Sequence, residues 1–394
     1  MLKNVYLAGG MRTPFGSFGG ALSSLSAGAL GALAINAALQ RAGVDGAQVD
    51  EVLMGNVVGA GLGQNVARQA TLGAGLDVSV GATTINKVCG SSLRTVILAG
   101  QAIQCGDADV IVAGGCESMS NAPYLLKKAR TGYRMGHGEL IDAMVHDGLW
   151  DVYTNQHMGT CGDQCAAKYD FSRADQDAYA IASYERAIAA WDDGFFADGV
   201  TPVEVKSRKN TVTVERDECV TKFRGAEALL DLGPAFGPKS QVTAGNASGI
   251  SDGAAAVVVI GEDKMKSLGV KPSARILGHA NVAMESDWFT IAPIYAIKKL
   301  CEQLSVAPTD IDLYEINEAF SVVPMAAMRE LGLDHAKVNA VGGAVALGHP
   351  IGATGTRLVN TLARALERNK KKLGIACLCI GGGEASALAI ERCA

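Results

Sequence analysis

Basic charge is in deficit in this sequence. Its 394 residues carry 35 Lys and Arg against 40 Asp and Glu, a net charge of −5. A nucleic-acid partner would need a basic field, so that class is set aside. Long apolar runs are missing too. None approaches the roughly 20 residues of a membrane span, and no membrane insertion is expected. Aromatic residues are few, at 5%. The 10 cysteines never form a C-x-x-C pair. Cys161 and Cys165 have no second ligand pair at a zinc-site spacing, so no structural metal is expected. Free thiols scattered in this way suit a reducing compartment. The opening "MLKNVYLAGGMRTPFG" reads as a strand and turn rather than as a signal or transit segment. The closing "ERCA" is not a peroxisomal address. A cytoplasmic enzyme is the expectation.

What is abundant is glycine, 48 residues of it, beside short β-branched runs that alternate with alanine-rich helical stretches. "AGALGALAINAALQRAG" precedes "VDEVLMGNVV", and "SSLRTVILAGQAIQCG" precedes "DADVIVAGG". Strand and helix in alternation indicate an α/β protein, and the length calls for two or more domains. The chain also repeats itself. Asp50 aligns with Asp312 and Gly114 with Gly381, at nearly equal offsets (312 − 50 = 262; 381 − 114 = 267). A duplicated α/β half follows. The N-terminal half takes 1–119 with 250–270, and the C-terminal half 271–394. Residues 120–249 lack the repeat and hold most of the basic clusters, so they read as an inserted loop domain covering a site. Under the duplication, the Cys89 turn corresponds to the neighbourhood of Gly352, beside His349.

Four stretches carry residues suited to chemistry. In "NKVCGSSLRT", Cys89 ends an apolar run just before a helix. It is either a small buried hydrophobe or a nucleophile whose thiolate the helix N-terminus favours. In "GHPIGATG", His349 sits in a rigid turn that aims its imidazole, while Gly352 and Gly355 admit close backbone approach. Taken alone it is more often a satisfied surface or core histidine. In "CLCIGGGEAS", Cys379 ends a buried strand, and the glycines after it bare N–H groups suited to an oxyanion; the alternative is a tight turn. In "YEINEAF", Asn317 and Glu318 are unusual at the end of a structural strand. Together these supply a nucleophile, a base, a second thiol acid and oxyanion donors, which is what acyl transfer needs.

These segments resemble the thiolase family, most closely its short-chain branch. The resemblance runs nearly end to end through "RTPFGSFGG", "NKVCGSSLR", "VAGGCESMSNAPY", "HMG", "TAGNASGISDGAAA", "NEAF", "GHPIGATG" and "CIGGG". It implies a five-layered αβαβα fold of two similar halves, assembled as a homodimer or homotetramer. It implies reversible condensation of two acetyl-CoA to acetoacetyl-CoA and CoA, with CoA as substrate and product and no separate cofactor. Carried over by motif, Cys89 becomes acetylated and His349 takes its proton. Cys379 exchanges the proton at C2 of the second substrate. One oxyanion hole would comprise His349 and a water held by Asn317, the other the N–H groups of Cys89 and Gly381. The same resemblance sets Leu149, His157, Met158, Ala244, Ser248, Ala319 and Phe320 along the CoA channel, with Lys222 or Arg224 near its nucleotide end. Cys89 is then expected to be the first of the ten thiols to be alkylated, its thiolate favoured by the helix dipole and His349.

The chain departs from the family pattern at Gly162–Gln164, at Ser251 and at Ala292, and "DWFTIAPIYA" brings Trp288 and Phe289 toward the channel mouth. The alternatives are a degradative 3-ketoacyl-CoA thiolase of broader chain length, a decarboxylating condensing enzyme, and a non-catalytic acyl-CoA-binding scaffold. A decarboxylating enzyme has no second cysteine, so Cys379 counts against it. The intact Cys89, His349, Cys379 and Asn317 count against a scaffold. A dinucleotide-binding protein is excluded, since "GAGLGQ" fails G-x-G-x-x-G.

Overall fold

The computed structural model describes residues 3–206 and 210–393. The first half contains β1 (Val5–Arg12), α1 (Ala27–Ala42), β2 (Glu51–Gly55), α2 (Val66–Gly73), β3 (Gly81–Ile85), α3 (Ser91–Cys105) and β4 (Val110–Ser118). The intervening segment includes α4 (Met158–Lys168) and α5 (Arg173–Asp192). Then follow β5 (Ser251–Gly261), β6 (Ala274–Ala283), α6 (Ala292–Leu304), β7 (Leu313–Ile316), α7 (Val322–Leu331), α8 (Thr354–Arg368), β8 (Leu373–Ile380) and β9 (Glu384–Arg392). The strands run in the order β3-β2-β4-β5-β1-β6-β9-β8-β7. The sheets of the two halves join edge to edge through the short pair Tyr6–Arg275 and Leu7–Ala274.

Read from each end, the pairing is the same once the extra edge strand β3 of the first half is set aside. Strands β3, β2 and β4 are parallel, and β5 and β1 follow antiparallel. Strands β7 and β8 are parallel, and β9 and β6 follow antiparallel. Asp50 and Asp312 play one role twice. Asp50 accepts the N–H groups of Asp109 and Val110 at 2.8 and 2.9 Å. Asp312 accepts those of Lys372 and Leu373 at 3.0 and 2.9 Å. The second sequence match is out of register, however. Glu51 pairs with Ile111 as Leu313 pairs with Gly374. This sets Gly114 against Cys377, and Cys116 against Cys379, rather than Gly114 against Gly381. Glycine-rich strand ends look alike in sequence, whereas ladder pairing tolerates no slip where both faces are buried.

Helices α1 and α2 cover the outer face of the first sheet, and α6 the outer face of the second. Helices α3 and α8 lie between the sheets, and each touches strands of both halves. Leu93, Val96, Ile97, Leu358 and Leu362 form the core of this middle layer. It is tightly drawn together. A Cβ on Gly355 would lie 2.2 Å from the Leu93 nitrogen. Thr356 donates its N–H to Ser92 Oγ and its hydroxyl to Ser92 O, each at 3.0 Å. The contact therefore lies at the N-terminal ends of both helices, which brings the turns before them side by side.

Residues 120–249 contribute only two-stranded pairs and helices among the described residues, with no strand in the large sheet. Arg12 anchors this segment. Its guanidinium pairs with Asp217 at 2.6 and 2.7 Å, and Asp217 also accepts Phe15 N–H and the Trp191 indole. This buried group gives Arg12 and Phe15 of "RTPFG" their role, with the guanidinium 4.8 Å from the Phe15 ring centroid.

Candidate active site

Cys89 sits in the turn between β3 and α3. The helix begins at Ser91, so the cysteine precedes it rather than opening it. Lys87 N–H donates to Ser91 Oγ at 2.9 Å, and Ser91 Oγ–H donates to Val88 O at 2.6 Å. Asn86 Oδ1 accepts Val88 N–H at 2.9 Å. Val88 is held at φ 47°, a left-handed conformation that a β-branched residue rarely adopts. Such strain persists where surrounding contacts over-determine it, and here it aims the next side chain.

The N–H groups of Gly381 and of Cys89 itself lie against the Cys89 sulfur and favour the thiolate. Burial outweighs them, and the thiol is pushed up to about 11. This corrects the expectation of a resting thiolate, since the helix dipole acts on a group that solvent barely reaches. Cys379 lies close enough that the Cys89 charge would raise its pKa further, on top of the larger effect of burial.

His349 is aimed by its turn. Its N–H donates to Gly249 O at 2.9 Å. Its Nδ1 lies 2.6 Å from Thr354 Oγ1, and that hydroxyl donates to Pro350 O at 3.0 Å. The hydroxyl proton is committed, so Nδ1 must be the donor and Nε2 keeps its lone pair. Nε2 lies 3.4 Å from Asn317 Nδ2. Burial, then Arg357, depress the imidazole to about 3, so it is neutral at physiological pH. Asn317 Oδ1 is buried with no hydrogen-bond partner in the protein. The resting pair is therefore a neutral thiol and a neutral imidazole. We expect Cys89 alkylation by iodoacetamide to keep rising toward pH 11, without the plateau near neutrality of an ion pair. Acetyl-CoA protects Cys89 but not the exposed Cys105, which is labelled early as well. Peptide mapping across pH checks this; a plateau near pH 7 contradicts it.

The residues expected at the CoA channel fall into distinct places. Lys222, Arg224 and Ala244 line a cavity of about 300 Å³ that reaches Gly249, next to His349. Lys222 is also paired with Glu218 at 2.8 Å. Met158, Val88 and Gly381 line a second cavity of about 420 Å³. A Cβ on Gly381 would meet Met158 Cε at 2.8 Å, so methionine and glycine pack as a unit there. His157 stacks on Phe236 at 4.4 Å, and its strand partner is Trp150, the neighbour of the half-buried Leu149. Ser248 donates its N–H to Ala319 O at 3.0 Å, and Phe320 is buried. Trp288 carries the Lys168 ammonium over its ring at 4.5 Å, while Phe289 is buried 6.5 Å from Phe320.

Two residues escaped sequence reasoning, Thr354 and Glu117, and Ser251 stands out in the sequence only as a departure from the family pattern. Thr354 orients His349 from within the same motif, and only its spacing of five hinted at it. Ser251 Oγ lies 3.3 Å from the His349 N–H. Glu318, noticed but given no role, accepts Tyr179 Oη–H, Ser183 Oγ–H, Asn339 Nδ2–H and Val345 N–H at 2.8–3.0 Å. It thereby ties α5 to the loops beside Asn317 and His349. No group of three or more His, Cys, Asp or Glu among the described residues is placed to hold a metal ion. No helix among them is long and apolar enough to cross a membrane.

Comparison with known proteins finds matches along nearly the whole chain. Residues 5–263 match the model of the thiolase N-terminal domain, and residues 270–392 that of the thiolase C-terminal domain. The chain is 50% identical to acetyl-CoA acetyltransferase 1 of Arabidopsis thaliana, over 99% of this chain and 94% of that protein. It is 48% identical to the acetyl-CoA acetyltransferase of Allochromatium vinosum, over the full length of both. The crystal structure of the Bacillus anthracis acetyl-CoA acetyltransferase superposes with a TM-score of 0.97 at 39% identity, covering 100% of this chain and 99% of that one. Both halves are matched in order and the fold is shared from end to end: the chain belongs to the thiolase family.

Proposed function

We propose that this protein is an acetyl-CoA C-acetyltransferase, joining two acetyl-CoA to acetoacetyl-CoA and CoA and running thiolysis in reverse. One observation carries the reading: two N–H groups converge on the Cys89 sulfur, and a second buried thiol, Cys379, stands beside it. The full-length likeness to acetyl-CoA acetyltransferases supports the same reaction.

In the first step, His349 Nε2 takes the Cys89 proton as sulfur attacks the thioester carbonyl. The carbon–sulfur bond to CoA breaks and CoA leaves as the thiolate, which takes up the Cys379 proton, while His349 keeps its proton on Nε2. The N–H groups of Cys89 and Gly381 hold the carbonyl oxygen as it becomes anionic. In the second step, Cys379 as thiolate removes a proton from C2 of a second acetyl-CoA. The enolate oxygen is held by His349 and by a water on Asn317, whose unpartnered Oδ1 is suited to it. The C2 carbanion attacks the acetyl carbonyl, the bond to Cys89 sulfur breaks, and that sulfur takes the proton from His349 Nε2, while Cys379 keeps the C2 proton and is again a thiol. The dry pocket is what makes a thioester enolate accessible at neutral pH.

CoA enters along the cavities on either side, with residues 120–249 as its cover and no cofactor besides. Within this reading the enzyme is cytoplasmic, serves lipid metabolism, and works as a homodimer or homotetramer. Exposed Leu126, Met135 and Leu140 give the covering segment apolar surface for a second copy. Loss of acetoacetyl-CoA absorbance on adding free CoA tests the reaction, and no CoA-dependent loss refutes it.

Chain length follows from Met158. It packs on Gly381 at the acyl end, so an added methylene meets protein. Overpacking costs about 1–3 kcal/mol, or roughly 5- to 150-fold in rate. We expect acetoacetyl-CoA to be cleaved far faster than its six- and eight-carbon homologues, and Met158→Ala to narrow the gap. Specificity constants that are equal or rise with length would instead favour the degradative reading.

A further inference from the structure

Glu117, at the end of β4, is fully buried and takes no part in the steps above. Its carboxylate is nevertheless saturated with donors. Oε1 accepts Asn56 Nδ2–H at 3.0 Å and Val58 N–H at 3.2 Å. Oε2 accepts Val57 N–H at 3.0 Å and Gly352 N–H at 2.9 Å. All four partners are N–H groups, an arrangement that suits the anion. Burial still pushes the group up to about 7. Asp252 and the thiols of Cys89 and Cys116 are the titratable neighbours that share its electrostatic surroundings.

Both ends of this network reach the reacting groups. On one side, Val57 O accepts Asn86 Nδ2–H at 3.3 Å, and Asn86 Oδ1 holds Val88 N–H, the residue before Cys89. On the other side, Gly352 lies in the turn that carries His349 and Thr354. The fit leaves no slack, since a Cβ on Gly352 would lie 2.6 Å from Glu117 Oε2 and 3.0 Å from Asn56 Cα. The internal duplication adds a second argument. Gly352 stands two residues before α8, as Cys89 stands two residues before α3. The Gly352 N–H is thus the counterpart of the Cys89 N–H that would receive the acyl oxygen. In the second half, that position is filled by a side-chain carboxylate from the first.

We propose that Glu117 is a positioning residue: its carboxylate plugs the duplicated oxyanion position at Gly352 and so locks the Cys89 turn to the His349 turn. This rests on the acyl-transfer reading. Replacing Glu117 by Gln keeps the volume but turns one amide N–H toward N–H donors. Sub-ångström drift between nucleophile and base follows, and we expect kcat for acetoacetyl-CoA thiolysis to fall by about 10²-fold with KM nearly unchanged. The iodoacetamide titration of Cys89 moves to lower pH, because the negative charge that opposes its thiolate is gone. A merely structural residue would lower the stability and leave kcat of the folded enzyme unmoved.

The experiment compares wild type and Glu117→Gln by circular dichroism, thiolysis kinetics and the pH profile of Cys89 alkylation. A folded variant with an unmoved profile and unchanged kcat overturns the proposal. If the Gln variant does not fold, Asn56→Ala removes one donor and keeps the carboxylate. It is expected to lower kcat several-fold with KM held, and an unchanged kcat overturns the proposal equally. A wild-type enzyme that fails to cleave acetoacetyl-CoA would refute the reaction, while the alkylation profile still reports on Glu117.

Discussion

Cys379→Ser is expected to split the reaction in two. Acetylation of Cys89 by acetyl-CoA uses His349 and the N–H groups of Cys89 and Gly381, so exchange of labelled CoA into acetyl-CoA continues at a rate near that of wild type. Condensation and thiolysis both need a proton moved at C2, and a serine hydroxyl is far too weak an acid for that role. A positioned acid or base contributes about 10²- to 10⁴-fold, and we expect a loss of that size. The thiol is buried with its pKa raised well above that of a free cysteine. Its thiolate is therefore a strong base once formed, and a slight displacement of the substrate does not compensate for its removal. Cys89→Ser behaves differently, losing exchange and condensation together. Loss of exchange in a folded Cys379→Ser enzyme would show that the two thiols do not divide the work in this way.

Asn317→Ala is expected to show the second large effect. The side chain lies directly after β7 and is fully buried. Its Nδ2 is 3.4 Å from His349 Nε2, and its Oδ1 has no partner in the protein. Removing one oxyanion donor costs about 10²- to 10³-fold in kcat. Because Oδ1 satisfies no other group of the protein, the melting temperature should fall little. Exchange of CoA into acetyl-CoA should survive, as for Cys379→Ser. A variant with near-normal kcat but a much lower melting temperature would make Asn317 a structural residue.

Much of this architecture is legible in the sequence because it is periodic. The alternation around "LAINAALQ" and "VDEVLMG" yields α1 and β2, and the Asp50–Asp312 match yields the duplication. What the sequence hides is set by contacts across long separations. Glu117 takes its donors from Asn56, Val57 and Val58 in one loop and from Gly352 in the other half, and no local pattern announces that. Glycine-rich strand ends misled the alignment of Gly114 with Gly381, because only strand pairing distinguishes them. The Cys89 thiolate expectation failed for a different reason. A helix N-terminus is visible in sequence, but burial is not, and burial has the larger effect on this thiol.

Acyl transfer through Cys89 is the centre of the account, and it is tested most directly by mass spectrometry of the whole enzyme after brief mixing with acetyl-CoA. A single acetyl group on the peptide containing Cys89, discharged by added CoA, is the predicted result. An unmodified Cys89 under conditions where the same preparation cleaves acetoacetyl-CoA, or an acetyl group on another thiol that CoA discharges instead, would contradict it.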